Sequence, residues 1–239
     1  MDHAGNGHGE IAEIREHTRV VLQPIAAPSI LGLFGFAGAT FIVAAHLAGW
    51  YGTEKSGVFL FPFAAVFGGL AQFLAGMWAY KARDAIATAM HGMWGSFWIA
   101  YGILNLLVAV GAYALPAGEF PEFGFWFLAL AVITGIGALA AVAESLGLVT
   151  VLTSLAVGSA FLAVHYLTAV GWWETAGGWI LIGSSIAAAY TAGAMMLESA
   201  WGRVVLPLGK VNKEANVPGA KFTRPIEYEH AEPGVRMGQ

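Results

Sequence analysis

Apolar residues run almost unbroken through six stretches of this chain, at residues 30–50, 58–80, 86–113, 123–143, 146–170 and 177–199. A hydrocarbon core of about 30 Å needs roughly 20 consecutive apolar residues per helix, and every stretch meets that length. Polar punctuation separates them. Thr53-Glu54-Lys55-Ser56-Gly57 divides the first pair, and Lys81-Ala82-Arg83-Asp84 the second. Ala114-Leu115-Pro116-Ala117-Gly118-Glu119 follows the third, Glu144-Ser145-Leu146-Gly147 reads as a tight turn, and Trp172-Trp173-Glu174-Thr175 precedes the last. The fourth break carries a single charge between Ala140 and Val149. One uninterrupted helix of about 45 residues would far exceed a bilayer, so the pattern predicts six spans. The expected fold is an all-α integral membrane protein, with a six-helix transmembrane domain over 30–199 between tails at 1–29 and 200–239.

Composition agrees. Hydrophobic residues make up 58% and charged residues 11%, against about 45–50% and about 25% in soluble domains. So few charges could not cover a water-soluble globule. The 32 glycines suit helices whose backbones approach closely inside a membrane. The net charge of -4 sits in tails and loops. Without a basic stripe interleaved with aromatics, nucleic-acid binding has no support. The absence of cysteine excludes disulfides, thiol catalysis and iron–sulfur ligation. Met1 to Asn6 form no basic n-region, so no cleaved signal peptide is expected.

Lysine and arginine counts set an expected orientation. Arg15, Arg19, Lys81, Arg83, Arg203, Lys210, Lys213, Lys221, Arg224 and Arg236 fall on one side and Lys55 alone on the other. Both termini are therefore expected in the cytoplasm, the protein crossing the cell (inner) membrane. Trp50, Tyr51, Trp172 and Trp173 stand where an outer aromatic belt would lie. In the first tail, residues 10–22 place Ile11, Ile14, Val21 and Leu22 near one face, either as an amphipathic helix at the membrane surface or as a plain solvated one. The prolines at 207, 218, 225 and 233, set among charges, make residues 207–239 read as an extended tail.

No phosphate loop, zinc-protease helix or nucleophile elbow is present, and no enzymatic activity is expected. What remains is a short set of polar groups within the spans, where ionisable residues are costly. These are His46, Gln72, His91, Asn105 and His165, with Glu144 and Glu198 at helix ends. His46 and His165 each lie about 24–27 Å along outward-running helices at roughly 1.5 Å per residue. They form the pair at one level that two haem ligands would need. The plainer reading is hydrogen bonding to a neighbouring helix, and no cofactor or metal is expected. Phe34, Phe36, Phe41, Trp94, Phe97, Trp98 and Tyr101 stand beside Gly32, Gly35, Gly38, Gly92, Gly95 and Ser96. That pattern fits ordinary packing, or a narrow lumen closed by rings.

Several of these segments resemble one family. Ala27-Pro28-Ser29-Ile30-Leu31-Gly32-Leu33-Phe34-Gly35-Phe36 is similar to the Asn-Pro-Ala-Pro-Leu-Gly-Leu signature of the acetate uptake transporter family, the acetate/succinate–proton symporters. Thr40-Phe41 and His46-Leu47-Ala48-Gly49-Trp50 fit its first helix, and Gly68 to Trp78 its second. Trp94-Gly95-Ser96-Phe97-Trp98 resembles its third-helix Tyr-Gly-x-Phe-Trp box, and Trp201 to Gly209 its closing Gly-Arg-x-Val-Leu-Pro-x-Gly. The matches keep family order over about residues 27–210.

The resemblance implies a hexameric ring of six-helix protomers, each with its own carboxylate pathway through the lipid bilayer. The family's Phe, Tyr and Leu constriction falls on Phe36, Trp94 and Leu155, and its carboxylate-binding mouth on Ala27, Pro28, Leu31, Gly32 and Leu33. Gln72, Gly95 and Ser96 are further pore-lining candidates. The chain departs from the pattern at polar positions. Ala27 replaces the signature Asn, Ile30 its second Pro, Ala79 a second-helix Glu and Met195 a last-helix carboxylate, with Glu198 one turn later. Trp94 replaces the box Tyr and His91 a Phe. His91, His46 and Glu198 are accordingly the candidate proton relay. The expected function is transport of acetate, then succinate, by proton symport or as a channel. The alternatives are another small solute, or a non-transporting structural subunit of a larger membrane complex.

Overall fold

The computed structural model describes residues 25–53, 55–211 and 217. The surface helix expected at residues 10–22 and the tail beyond residue 217 lie outside those residues. Six helices are long and apolar enough to cross a membrane: α1 (Pro28–Leu47), α2 (Ser56–Ala82), α3 (Ala85–Ala109), α4 (Pro121–Ala141), α5 (Leu146–Thr168) and α6 (Gly171–Trp201). They account for all the regular structure among the described residues apart from one isolated bridge between Ser145 and Lys210.

Local chemistry fixes the helix ends. Pro28 and Pro121 open α1 and α4 at first-turn positions, where a fixed φ helps and a missing N–H costs nothing. Asp84 caps α3 by accepting from the Ala87 N–H at 2.8 Å, and Ser145 caps α5 through the Leu148 N–H at 3.3 Å. Arg83, Ala169 and Gly202 close α2, α5 and α6 in the left-handed conformation.

The helices pack as a ring in the order α3, α2, α1, α6, α5, α4. Neighbours touch extensively except at the seam between α3 and α4. Small residues bring α2 and α3 together. A Cβ on Gly76 would lie 2.6 Å from the Gly92 amide nitrogen, and one on Gly95 would lie 2.6 Å from that of Phe73. Both positions are backbone-to-backbone contacts. The largest buried apolar cluster fills the middle of the ring and includes Leu33, Phe36, Trp94, Phe127, Leu130, Leu155 and Leu181.

Three features differ from the expected boundaries. The middle of α2, Ala64–Ala71, winds as a π-helix just after Pro62. Proline cannot donate to the carbonyl four residues back, and the hydrogen-bond register loosens beyond it. Hydropathy does not sense that change. The Trp172-Trp173-Glu174-Thr175 segment is not a break but the first turn of α6, because Val170 is the extended N-cap and Glu174 complements the positive helix end. Residues 203–211 are not an extended tail either. They fold back as a strap on the α4–α5 turn. Leu146 N–H donates to Gly209 O at 3.0 Å, Gly147 N–H to Leu208 O at 2.9 Å and Val211 N–H to Glu144 O at 3.2 Å. Val204 and Leu208, within the strap, are buried.

Candidate functional site

Phe36 on α1 and Trp94 on α3 meet edge-to-face, ring centroids 6.4 Å apart, in the middle of the ring. Leu155 on α5 belongs to the same buried cluster. The three residues named for the constriction are therefore gathered from alternate helices into one plug, each at most 3% exposed. The Trp94 indole N–H donates to Thr134 Oγ1 on α4 at 2.9 Å. Thr134 was not legible in the sequence, where it is one hydroxyl in an apolar run 40 residues away.

One turn before the plug, the imidazole of His91 lies against Gly32 of α1, where a Cβ would approach the ring to 2.5 Å. Gln72, the first residue after the π segment, places its Nε2 3.4 Å from His91 Nδ1. Both side chains are buried, and Gln72 Oε1 has no partner among the described residues. One turn after the plug, Thr40 Oγ1 and Trp98 Nε1 are buried and equally unpaired. Contacts of 32 with 91 and 36 with 94 rise together, so α1 and α3 run parallel and these levels succeed one another along the axis.

The other candidates are dispersed. Leu31 is 49% exposed and turns away from the ring, whereas Gly32 and Leu33 turn inward and Ala27 and Pro28 lie at the exposed start of α1. Gly95 fits against α2 and does not face open space. Ser96 donates to Gly92 O at 2.8 Å and lines a cavity of about 460 Å³ at the α3–α4 seam with Met93, Phe97, Tyr101, Phe123 and Trp126. The three relay candidates stand apart. Glu198 holds Lys210 at 2.8 and 2.9 Å through its two oxygens, His46 is at the far end of α1, and His91 meets Gln72.

His46 Nδ1 lies 3.0 Å from Tyr51 O, and His165 Nδ1 lies 3.2 Å from Val170 O. A carbonyl only accepts, so each Nδ1 carries the proton. His165 Nε2 also lies 3.9 Å from Glu174 Oε2. Each histidine thus ties a helix end to the loop that follows. Among the described residues no cluster of three or more His, Asp or Glu side chains is placed to hold a metal ion. Beside His46, partial burial pushes the Tyr51 phenol above its ordinary value while its hydroxyl donates to Ile42 O at 2.6 Å.

Residues 13–211 match the sequence profile of the GPR1/FUN34/yaaH family. The chain belongs to that family. The profile spans all six helices and ends at the last residue of the strap. Among its relatives is SatP of Escherichia coli K12, a succinate-acetate/proton symporter, 28% identical over 195 residues that cover 78% of this chain and 96% of the relative. Acetate permease A of Emericella nidulans is 32% identical over 85 residues, covering 36% of this chain and 28% of that protein. A solved structure of the bacterial acetate channel SatP superimposes with a TM-score of 0.72 at 26% identity, covering 78% of this chain and all of that one. As a GPR1/FUN34/yaaH member with six apolar helices, the chain is a multi-pass membrane protein, and the relatives named here are transporters and channels, not enzymes.

Proposed function

We propose that this protein conducts small monocarboxylates, acetate first and succinate second, through the interior of its six-helix ring. The observation that carries the reading is the plug of Phe36, Trp94 and Leu155. Side chains from α1, α3 and α5 close the middle of the ring, while the relatives with this fold are an acetate channel and a succinate-acetate/proton symporter. Apolar constrictions of this kind gate by excluding water and ions until a solute displaces them. The start of α1, at Ala27, Pro28, Gly32 and Leu33, is the entry on one side. There the first-turn amides and the positive helix end suit a carboxylate.

The ten-to-one lysine and arginine bias supports an entry and both termini on the cytoplasmic side of the inner membrane. The protein assembles as a hexameric ring in which each protomer carries its own path. Its partners are therefore the bilayer, the carboxylate and further copies of itself.

The test is uptake of acetate and succinate by liposomes holding the purified protein, with and without an inward proton gradient. Gradient-stimulated uptake identifies symport and gradient-independent uptake a channel. Absence of flux for both acids would overturn the proposal and favour another solute or a structural subunit.

A further inference from the structure

The cavity of about 460 Å³ at the α3–α4 seam is as large as pockets that hold a whole organic ligand. It lies apart from the plug. On α3 it is lined by Met93 and Ala100, which are exposed on the side of the helix away from the buried Trp94, so the cavity opens sideways between the helices.

Its walls are aromatic. Phe97 and Tyr101 of α3 line it with Phe120, the N-cap of α4, and with Phe123 and Trp126 of α4. Phe123 stacks on Phe97 at 6.0 Å and on Phe120 at 5.4 Å between ring centroids. Behind them, Phe123 packs on Tyr166 of α5 at 4.9 Å, and the Phe120 N–H donates to Tyr166 O at 2.8 Å. These rings are thus held by the protein itself, whatever fills the cavity. Trp126 differs. It is 61% exposed and, alone among these rings, has no aromatic partner among the described residues.

Glu122 also lines the cavity. It stands four residues before Trp126, on the same face of α4 and one turn nearer the membrane surface. Among the described residues neither Glu122 nor Glu119 has an ion-pair partner. The helix ends on this side carry Glu54, Glu119, Glu122 and Glu174 against Lys55 alone. Two turns deeper than Glu122 the lining becomes aliphatic, with Leu130 opposite Met93.

A carboxylate at the mouth, an open indole face beneath it and an aliphatic floor together match a cationic head on an apolar chain. Cations settle over aromatic faces, tryptophan above all, and a carboxylate beside the ring adds a charge-assisted hydrogen bond. A cavity that opens sideways in a membrane meets that chemistry in the surrounding lipid.

We infer that the α3–α4 seam is a binding site for a phospholipid with an ammonium head group, ethanolamine or choline. The ammonium lies between Glu122 and Trp126, and one acyl chain runs along the seam towards Met93 and Leu130. The lipid fills the seam that the Trp94–Thr134 hydrogen bond joins deeper in.

The experiment melts the full-length protein, delipidated in a neutral maltoside detergent, with dioleoyl phosphatidylethanolamine or dioleoyl phosphatidylglycerol added at equal mole fraction. The two lipids share chains and phosphate, and one of them has an ammonium. A lipid about tenfold above its Kd that binds the folded protein alone raises the melting temperature by about 3–6 °C. That shift is expected with the ethanolamine lipid, and less than half of it with the glycerol lipid. Glu122→Gln should abolish the difference between them. Glu119→Gln, outside the cavity lining, should keep it. Ala100→Trp fills the seam from an exposed position and should cancel the shift without lowering the melt of the lipid-free protein. Equal shifts with both lipids overturn the inference, as does a difference that Glu122→Gln keeps or that Glu119→Gln also removes. A full shift from soluble ethanolamine, which has no chain, overturns it too. So does the absence of any shift, and if Ala100→Trp then alters the oligomeric mass, the seam is covered by a second copy of the chain.

Discussion

The indole N–H of Trp94 donates to Thr134 Oγ1 at 2.9 Å, joining α3 to α4 across the least-packed seam of the ring. Tryptophan at this position gives up the hydroxyl of the family's tyrosine, and its N–H finds a partner on the neighbouring helix instead. The bond also fixes the ring plane, so that the edge-to-face contact with Phe36 is held from both sides.

Thr134→Val should lower the melting temperature of the detergent-solubilised protein, because it leaves the Trp94 N–H buried and unpaired at a cost of about 1–3 kcal/mol. Combining it with Trp94→Phe, which removes the donor as well, should recover part of that loss. Calorimetric or fluorescence melts of the two single variants and the double variant check this, and strict additivity would argue against the bond.

Gly95→Ala should destabilise the protein by about 1–3 kcal/mol, the usual range for overpacking, because its new methyl group would press on the Phe73 backbone. Gly92→Ala, three residues earlier with nothing within 4 Å of its Cβ position, should be neutral or stabilising by up to about 1 kcal/mol. Melting temperatures of the two variants side by side distinguish helix contact from lumen lining. A lumen-lining Gly95 would instead slow flux without moving the melt.

Six spans were legible because about 20 apolar residues in a row have few other uses. Phe36 and Trp94 were legible as neighbours only through the family resemblance, not from their spacing along the chain. The π segment at Ala64–Ala71 was not, since hydropathy reports what a residue is and not which carbonyl its N–H reaches. Nor was the Gln72–His91 pair. It depends on that altered register and on Gly32 leaving room for an imidazole, both properties of the packed ring. The start of α6 was misplaced because a charge beside two tryptophans looks the same in a loop as in a first helical turn.

The strap carries its own prediction. Gly209 sits at φ 64°, and its Cβ would lie 2.8 Å from Leu146 Cβ, so Gly209→Ala combines about 1–2 kcal/mol of left-handed backbone cost with a clash. Lys210→Met removes a partly exposed ion pair with Glu198, worth about 0.2–1 kcal/mol. Limited proteolysis should therefore release the C-terminal segment faster from Gly209→Ala than from Lys210→Met. The reverse order would mean that the ion pair, and not the backbone pairing with the α4–α5 turn, holds the strap.

The most direct test of a path through the ring is the size cut-off of the plug, read as the ratio of butyrate to acetate uptake in liposomes holding either the native protein or Phe36→Val. Phe36 is 2% exposed and touches Trp94, so shortening it opens space at the proposed constriction. The ratio should rise at least tenfold, driven by butyrate entry. An unchanged ratio in a variant that still melts cooperatively would place the path elsewhere than between Phe36, Trp94 and Leu155.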